Sequence, residues 1–314
     1  MRSNGEPGLT NTNDRHAATR PPLAVVVLTY NEELNLPACL ASLDGFDCEL
    51  FVVDSGSTDR TVGIARAAKA EVLCHPFESH AKQWLWSLQN LPCTPRWVLG
   101  LDADQRLTPA LKDELKRWIE DDARSRRDVE GGYLKRRQVF RGRWIRHGGY
   151  YPKYLLKLFR PEAVYLDERD LMDHHFYVRG RVVKFEGDLI EANAKEDDIG
   201  FWIDKHNRYA RLHATEEIAF RTGQRSVPIE PSLRGTPDQR TLQLKLLWYR
   251  LPLYVRPFLY FVYRYLVLRG FLDGKEGLIF HTLHAFWYRL LVDINIDQLL
   301  AARRAMVDVD ACSA

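Results

Sequence analysis

No uninterrupted apolar run in this sequence approaches the roughly 20 residues that a transmembrane helix needs, so a spanning helix is not expected. Cysteine is sparse. Cys39, Cys48, Cys74, Cys93 and Cys312 are odd in number and scattered, without the close pairs of zinc ligands or redox motifs, and a reduced, cytosolic setting is the expectation. An excess of one charge is lacking too: a net +3 from 45 basic and 42 acidic residues falls far short of a general nucleic-acid binder, and no nucleic-acid partner is expected.

What is present is the raw material of a packed domain: 46% of 314 residues are hydrophobic, enough for one large core or two ordinary ones. Residues 1–22 are polar and rich in Gly, Pro and Asn, without the apolar centre of a signal peptide, and read as a disordered leader. From Leu23 the apolar runs LAVVVLTY, ELFVVD, AEVLC and RWVLGLD alternate with stretches of helical spacing that end near Glu120. Strands apolar on both faces, joined by crossover helices, predict an α/β unit over 23–130 with a parallel sheet covered on both sides. Ligands of such sheets bind outside the carboxyl ends of the strands. Polar residues collect at those ends: Thr29, Asn31, Glu32 and Glu33 after the first strand, DSGSTD (54–59) after the second, and Asp102 with Asp104 after the fourth.

Over 131–223 the texture changes to short alternating runs, GYLKRRQVF, YLLKLFR, HFYVRG and RVVKF, which predict a mixed-sheet extension, followed by a helix at 199–222. Residues 224–241 read as a linker and 242–314 as a C-terminal amphipathic helical region. In that region LLWYRLPLYVRPFLYFVYRYLVLRGF is dense in aromatics but broken by Arg250, Arg256, Arg264 and Arg269, with Pro252 and Pro257 dividing it. Helices lying on a membrane surface over 242–296, aromatics at headgroup depth and arginines reaching anionic lipid, account for that mixture, and such association would loosen in high salt. Internal packing of a second subdomain is the alternative.

The loop DSGSTDRT sets small residues between two acids, so the backbone can turn tightly and Gly56 can take a positive φ. A base or ribose fits beside Asp54; Ser57 or Thr58 could equally cap the next helix. In DADQ the acids are surplus to the fold, because Thr108 followed by Pro109 already starts the next helix. Asp102 and Asp104, on a loop with open coordination positions, suit Mg2+ or Mn2+ bridging to phosphate oxygens.

The segments VVVLTYNEELNLPACLASL, FVVDSGSTDRT and LGLDADQRLTP resemble the nucleotide-sugar-binding half of family 2 glycosyltransferases of the GT-A fold. GGYYPKYLLKLFRP, DHHFYVRG, FWIDKHNRYA and RGFLDGKEGLIF extend the resemblance to the bacterial members that build lipopolysaccharide core and exopolysaccharide, over most of 23–296. The resemblance implies a Rossmann-like, mostly parallel sheet and an inverting transfer of a sugar from a nucleotide sugar, UDP-linked by expectation, to a glycan or lipid-linked acceptor. It implies that Thr29, Asn31 and Glu32 border the nucleotide, that Asp54, Ser57 and Asp59 hold the uracil or ribose, and that Gln83, assisted by Lys82, meets the base. Asp102, Ala103 and Asp104 correspond to the family's Asp-x-Asp, with the two acids on the metal. The location implied is the cytoplasm, at the inner face of the cell membrane.

Inversion by direct displacement needs a carboxylate to take the acceptor proton. Asp173 is the first candidate, with His174, Glu191, Asp197 and Asp198 behind it; His174 stands where related members carry a Glu. Lys205, Arg208 and Tyr209 lie on neighbouring turns of one helix, and Lys205, His206 and Arg208 are candidates for contact with diphosphate or an anionic acceptor, a solvated helix face being the alternative. Two other classes remain. A nucleotidyltransferase would open with a Gly-rich loop after its first strand, and LTYNEELNLP has no glycine; a non-catalytic sugar-nucleotide or lipid-binding scaffold would tolerate the altered base region.

Overall fold

The computed structural model describes residues 20–125, 128–171 and 174–312, so the expected leader up to residue 19 lies outside the described residues. Apolar residues on both faces put the first strands at the centre of the sheet: Leu23 to Val27 are fully buried in β1 (Leu23–Thr29). It pairs in parallel with β2 (Glu49–Asp54) and β4 (Trp97–Asp102), and β2 carries β3 (Glu71–Cys74). The crossovers contain α1 (Leu36–Ser42), α2 (Thr61–Ala67) and α3 (His80–Asn90). The expected order of these elements holds.

β5 (Gln105–Leu107) follows β4 after two residues, and α4 (Pro109–Ser125) then runs five residues past the expected end at Glu120. The sheet continues through β6 (Gly131–Phe140), the short β7 (Arg143–Trp144) paired to it, β8 (Lys153–Phe159) and β11 (Val182–Ala192); β9 (Val164–Tyr165) and β10 (Tyr177–Val178) form a separate ribbon. β8 lies antiparallel between β4 and β6, and β6 is parallel to β11. The order is β3-β2-β1-β4-β8-β6-β11-β5, and because β5 is joined directly to β4 the mixed sheet curls. It follows that β1, β2, β4, β6 and β11 all present their carboxyl ends at one rim.

Helices cover both faces. Leu36, Leu40, Ala65, Leu111 and Leu115 from α1, α2 and α4 fill one, and Trp84 from α3 fills the other against Val26, Val98 and Phe159. β11 is longer than its sequence reading because Gly187 passes tightly under α4: a Cβ there would stand 2.4 Å from the Leu111 Cα. Glu114 accepts the Gly187 amide at 2.8 Å, and the pairing register shifts at this point.

α5 (Ile199–Arg221) is capped by Asp198, whose carboxylate accepts from the Gly200 amide at 2.8 Å. The expected linker over 224–241 is shorter than that, since α6 (Pro237–Tyr249) begins inside it on a full capping box of Thr236 and Gln239 with Pro237 at the first position. After it come α7 (Arg256–Val262), a π turn at Tyr263–Val267, a 3-10 turn at Gly270–Asp273, α8 (Gly274–Phe280), a second π turn and α9 (Tyr288–Cys312). α9 packs inward: Tyr288, Val292 and Ile296 interlock with Ala210, Ala214 and Ile218 of α5. Among the described residues no helix is long and apolar enough to cross a membrane.

Two of the four arginines expected to reach lipid do not. Arg256 is fully buried, held by Asp293 at 2.8 Å and Glu217 at 2.7 Å, and Arg264 donates to the Gly148 carbonyl and the Tyr260 hydroxyl, both at 2.6 Å.

Candidate functional site

At the β1–β2 end of the rim, Asp54 is almost wholly buried and accepts four hydrogen bonds, from Thr29 Oγ1 (3.0 Å), Ser57 Oγ (2.6 Å) and the amides of Gly56 and Ser57 (3.0 and 2.8 Å). Gly56 has φ of 89°, the positive value its turn requires. Asn31 closes the loop from the β1 side: its side chain accepts the Thr58 amide at 2.8 Å and its own amide donates to Ser57 Oγ at 2.8 Å. The start of α2 is satisfied by Asp59, which accepts from the Thr61 amide at 2.9 Å, rather than by Ser57 or Thr58. Burial opposes the charge on Asp59, but the bonds from Thr61 and the Glu33 amide outweigh it and hold the carboxyl below its usual range.

Thr29, Asn31, Asp54, Ser57 and Asp59 are therefore brought together, in a loop whose shape they themselves hold. Gln83 is buried and committed to Ser55 Oγ (3.2 Å), the His75 carbonyl (3.1 Å) and His75 Nδ1 (2.7 Å), so it braces the loop after β2 from α3. Lys82 points to solvent and pairs with Glu78 at 2.5 Å. Glu32 is held at 2.5 Å by Lys195 and at 2.7 Å by Asn35, which also bonds Asn193 and the Ala194 amide and so ties the β1 loop to the end of β11.

At the β4 tip the acids crowd. Asp102 accepts from Lys157 at 2.9 Å, a lysine only 4% exposed on the neighbouring β8. Asp104 accepts no side-chain or backbone hydrogen bond at its carboxylate among the described residues. Its pKa is pushed up to about 8 by burial first, then by Glu191 and Asp102, with Lys205 opposing. Glu191, from the β11 end, is oriented by Arg136 at 2.8 Å and by the buried Gln105 at 2.9 Å, and Gln105 also accepts the Asp102 amide. Ala103 lies buried between the two acids. A half-buried carboxylate without donors, beside two others, is where a cation gains most. Carboxylate oxygens are the donors a hard divalent ion takes, and no group of three or more acids, histidines or cysteines among the described residues is spaced to hold one alone.

Beside Asp104 opens a cavity of about 160 Å3 lined also by Arg106, Arg141, Asn193 and Asp197. Of the base candidates, Glu191 stands in the acid cluster and Asp197 on this cavity, whereas Asp198 is spent on capping α5 and Asp173 lies outside the described residues. His174 is packed among the rings of Trp84, Phe176 and His80, centroids 5.4, 4.9 and 6.1 Å away, on the α3 face. Lys205 pairs with Glu196 at 2.6 Å, which holds it charged against its burial. His206 stacks on Trp202 at 3.5 Å with its pKa lowered to about 4 by burial, so it offers an anion no charge; Arg208 is exposed. Sequence reading missed Lys157, Lys195 and Arg136. The one available signal was Lys157, a lysine between leucines in a strand.

The family model described as Glycosyl transferase family 2 matches residues 24–182, half of the chain. The chain belongs to glycosyltransferase family 2. It is similar to an uncharacterized glycosyltransferase of Rickettsia typhi, 34% identical over 94 residues, which are 30% of this chain and 32% of that protein. The lipopolysaccharide core biosynthesis glycosyltransferase LpsC of Rhizobium meliloti is 32% identical over 99 residues, 30% of this chain and 36% of the relative. The chain thus spans about a third of the length of the curated relatives it matches. Among solved structures, glucosyl-3-phosphoglycerate synthase from Mycobacterium tuberculosis, in complex with Mn2+, UDP and glucosyl-3-phosphoglycerate, is 27% identical over 39% of this chain and 45% of that one, with a TM-score of 0.30. S. aureus TarS 1–349 in complex with UDP is 16% identical over 90% and 91%, with a TM-score of 0.42. Both superpose loosely, below the level at which a shared fold follows.

Proposed function

We propose that this family 2 member is an inverting, metal-dependent glycosyltransferase of the GT-A type. It would move a sugar from a nucleotide sugar, UDP-linked by our reading, to a glycan or lipid-linked acceptor in envelope or exopolysaccharide assembly at the inner face of the cell membrane. The observation that carries this reading is the acid cluster at the β4 tip, where the half-buried Asp104 has no donor and feels the charges of Glu191 and Asp102. Asp102 and Asp104 would hold Mg2+ or Mn2+, which supplies positive charge to the departing nucleoside diphosphate.

The chain's own residues have separable tasks. Thr29, Asn31, Asp54, Ser57 and Asp59 form the rigid rim against which base and ribose lie, and Lys157 orients Asp102. Gln83 and Glu32 act by bracing that rim. Asp173 is the proposed base, taking the acceptor hydroxyl proton as the oxygen attacks, and Glu191 is the reserve candidate tested beside it. Asp173→Asn and Glu191→Gln, assayed in parallel for transfer, separate the two: the base loses at least about a hundredfold in kcat with donor affinity retained.

The packing of His174 among aromatic rings favours a second reading, a non-catalytic nucleotide-sugar or lipid-binding scaffold. Thermal stabilisation by a panel of nucleotide sugars with and without Mn2+, followed by transfer assays, tests both. Stabilisation that needs the metal and is lost in Asp104→Ala, together with turnover, supports the enzyme; the same stabilisation with no transfer to any acceptor supports the scaffold.

A further inference from the structure

The largest feature the donor site does not use is on α7 and the turns after it. Phe258 and Leu259, Val262 and Tyr263, and Leu266 and Val267 recur at helical spacing and are each 45–63% exposed. Phe271 and Leu272 continue the stripe past the bend. These are not spare core residues. The opposite side of the same segment is already seated: Phe261 packs on Tyr265 and Phe286, and Arg264 grips Gly148 and Tyr260.

The charges around the stripe are one-sided. Arg250, Arg269 and Lys275 are exposed at its ends and bend, whereas Asp273 is 2% exposed and turned inward onto His147 at 2.7 Å. Between residues 250 and 275 no acid faces solvent. An apolar belt rich in aromatics, with Arg250, Arg269 and Lys275 at its margins and its exposed acid, Asp297, confined to the Tyr254 edge, matches a lipid surface: acyl chains beneath and phosphate headgroups at the rim.

We propose that residues 255–272 are a bilayer-docking face that inserts to the headgroup–acyl boundary, with Arg250, Arg269 and Lys275 on lipid phosphates. This deepens the membrane location proposed above and changes its character. Because Arg256 and Arg264 are occupied inside the protein, apolar insertion rather than charge holds the chain at the surface, and the attachment resists salt.

The test is flotation of the full chain with vesicles of phosphatidylcholine alone and of phosphatidylcholine mixed with phosphatidylglycerol, at about 0.1 M and about 1 M salt. The parent chain floats with both and stays bound at the higher salt. The variant Leu259→Glu with Val262→Glu and Leu266→Glu, all at exposed positions, loses vesicle binding at least tenfold while its melting temperature and its binding of UDP with Mn2+ are unchanged. Flotation of the variant equal to the parent's overturns the proposal, as does release of the parent by high salt. A lipid-free dimer that the variant splits, with no flotation of the parent, assigns the face to a second copy instead. Loss of UDP binding in the parent with flotation intact would sink the transferase reading and leave this one standing.

Discussion

Asp104 ionises against burial and against the charges of Glu191 and Asp102, so the fold keeps its proton up to about pH 8, whereas the unfolded chain releases it near 3.8. Folding therefore takes up a proton in this window, and stability falls as pH rises through it. Asp104→Asn removes that slope: urea titrations without metal should show the variant gaining on the parent from pH 4 upward, to roughly 1–3 kcal/mol at pH 8. Lys157→Met leaves Asp102 without its cation and should cost about 2 kcal/mol by the same titration, part of which returns when Asp102→Asn is added. Residue roles were legible where the chain itself adjoins them. The acids of DSGSTD and DADQ stand at strand ends, and strand ends are visible as the point where an apolar run stops. Lys157 on Asp102 and Lys195 on Glu32 join segments 55 and 163 residues apart, and no local pattern marks such a meeting. The same holds for Gln83, whose burial follows from where α3 lands on the loop after β2.

Helix and strand boundaries follow local chemistry where local chemistry is strong. The box of Thr236 and Gln239 starts α6 inside a stretch that composition alone marks as linker. Thr236→Ala should lower stability by about 1 kcal/mol, measured as a shift in the urea midpoint with an unchanged slope. Glu186, Gly187 and Asp188 interrupt the alternation of β11, and the interruption is a close approach to α4 rather than an end. The tail's arginines divide by partner, which sequence cannot display: Arg256 serves a buried triad with Glu217 and Asp293. Arg256→Met leaves the buried Asp293 to the Tyr254 amide and the buried Glu217 to Arg221, and should lower stability by roughly 3–5 kcal/mol, while replacing Arg256, Glu217 and Asp293 together by apolar residues recovers most of that loss.

For the whole molecule, the parallel first half was legible because strands buried on both faces are continuous apolar runs, and because crossover connections leave few arrangements open. The curl of the sheet was not legible, since it depends on β5 leaving β4 after two residues to pair with β11. That curl brings Glu191 beside Asp104 and makes one acid cluster from two halves of the chain. The central claim is that this cluster takes a divalent ion together with the diphosphate of a nucleotide sugar. Calorimetric titration of the intact chain with UDP-sugars in the presence and absence of Mn2+ measures it directly. The account predicts donor binding that requires the metal and disappears in Asp104→Ala, with the variant's melting temperature without metal at or above the parent's; metal-independent binding, or binding that survives Asp104→Ala, would contradict it.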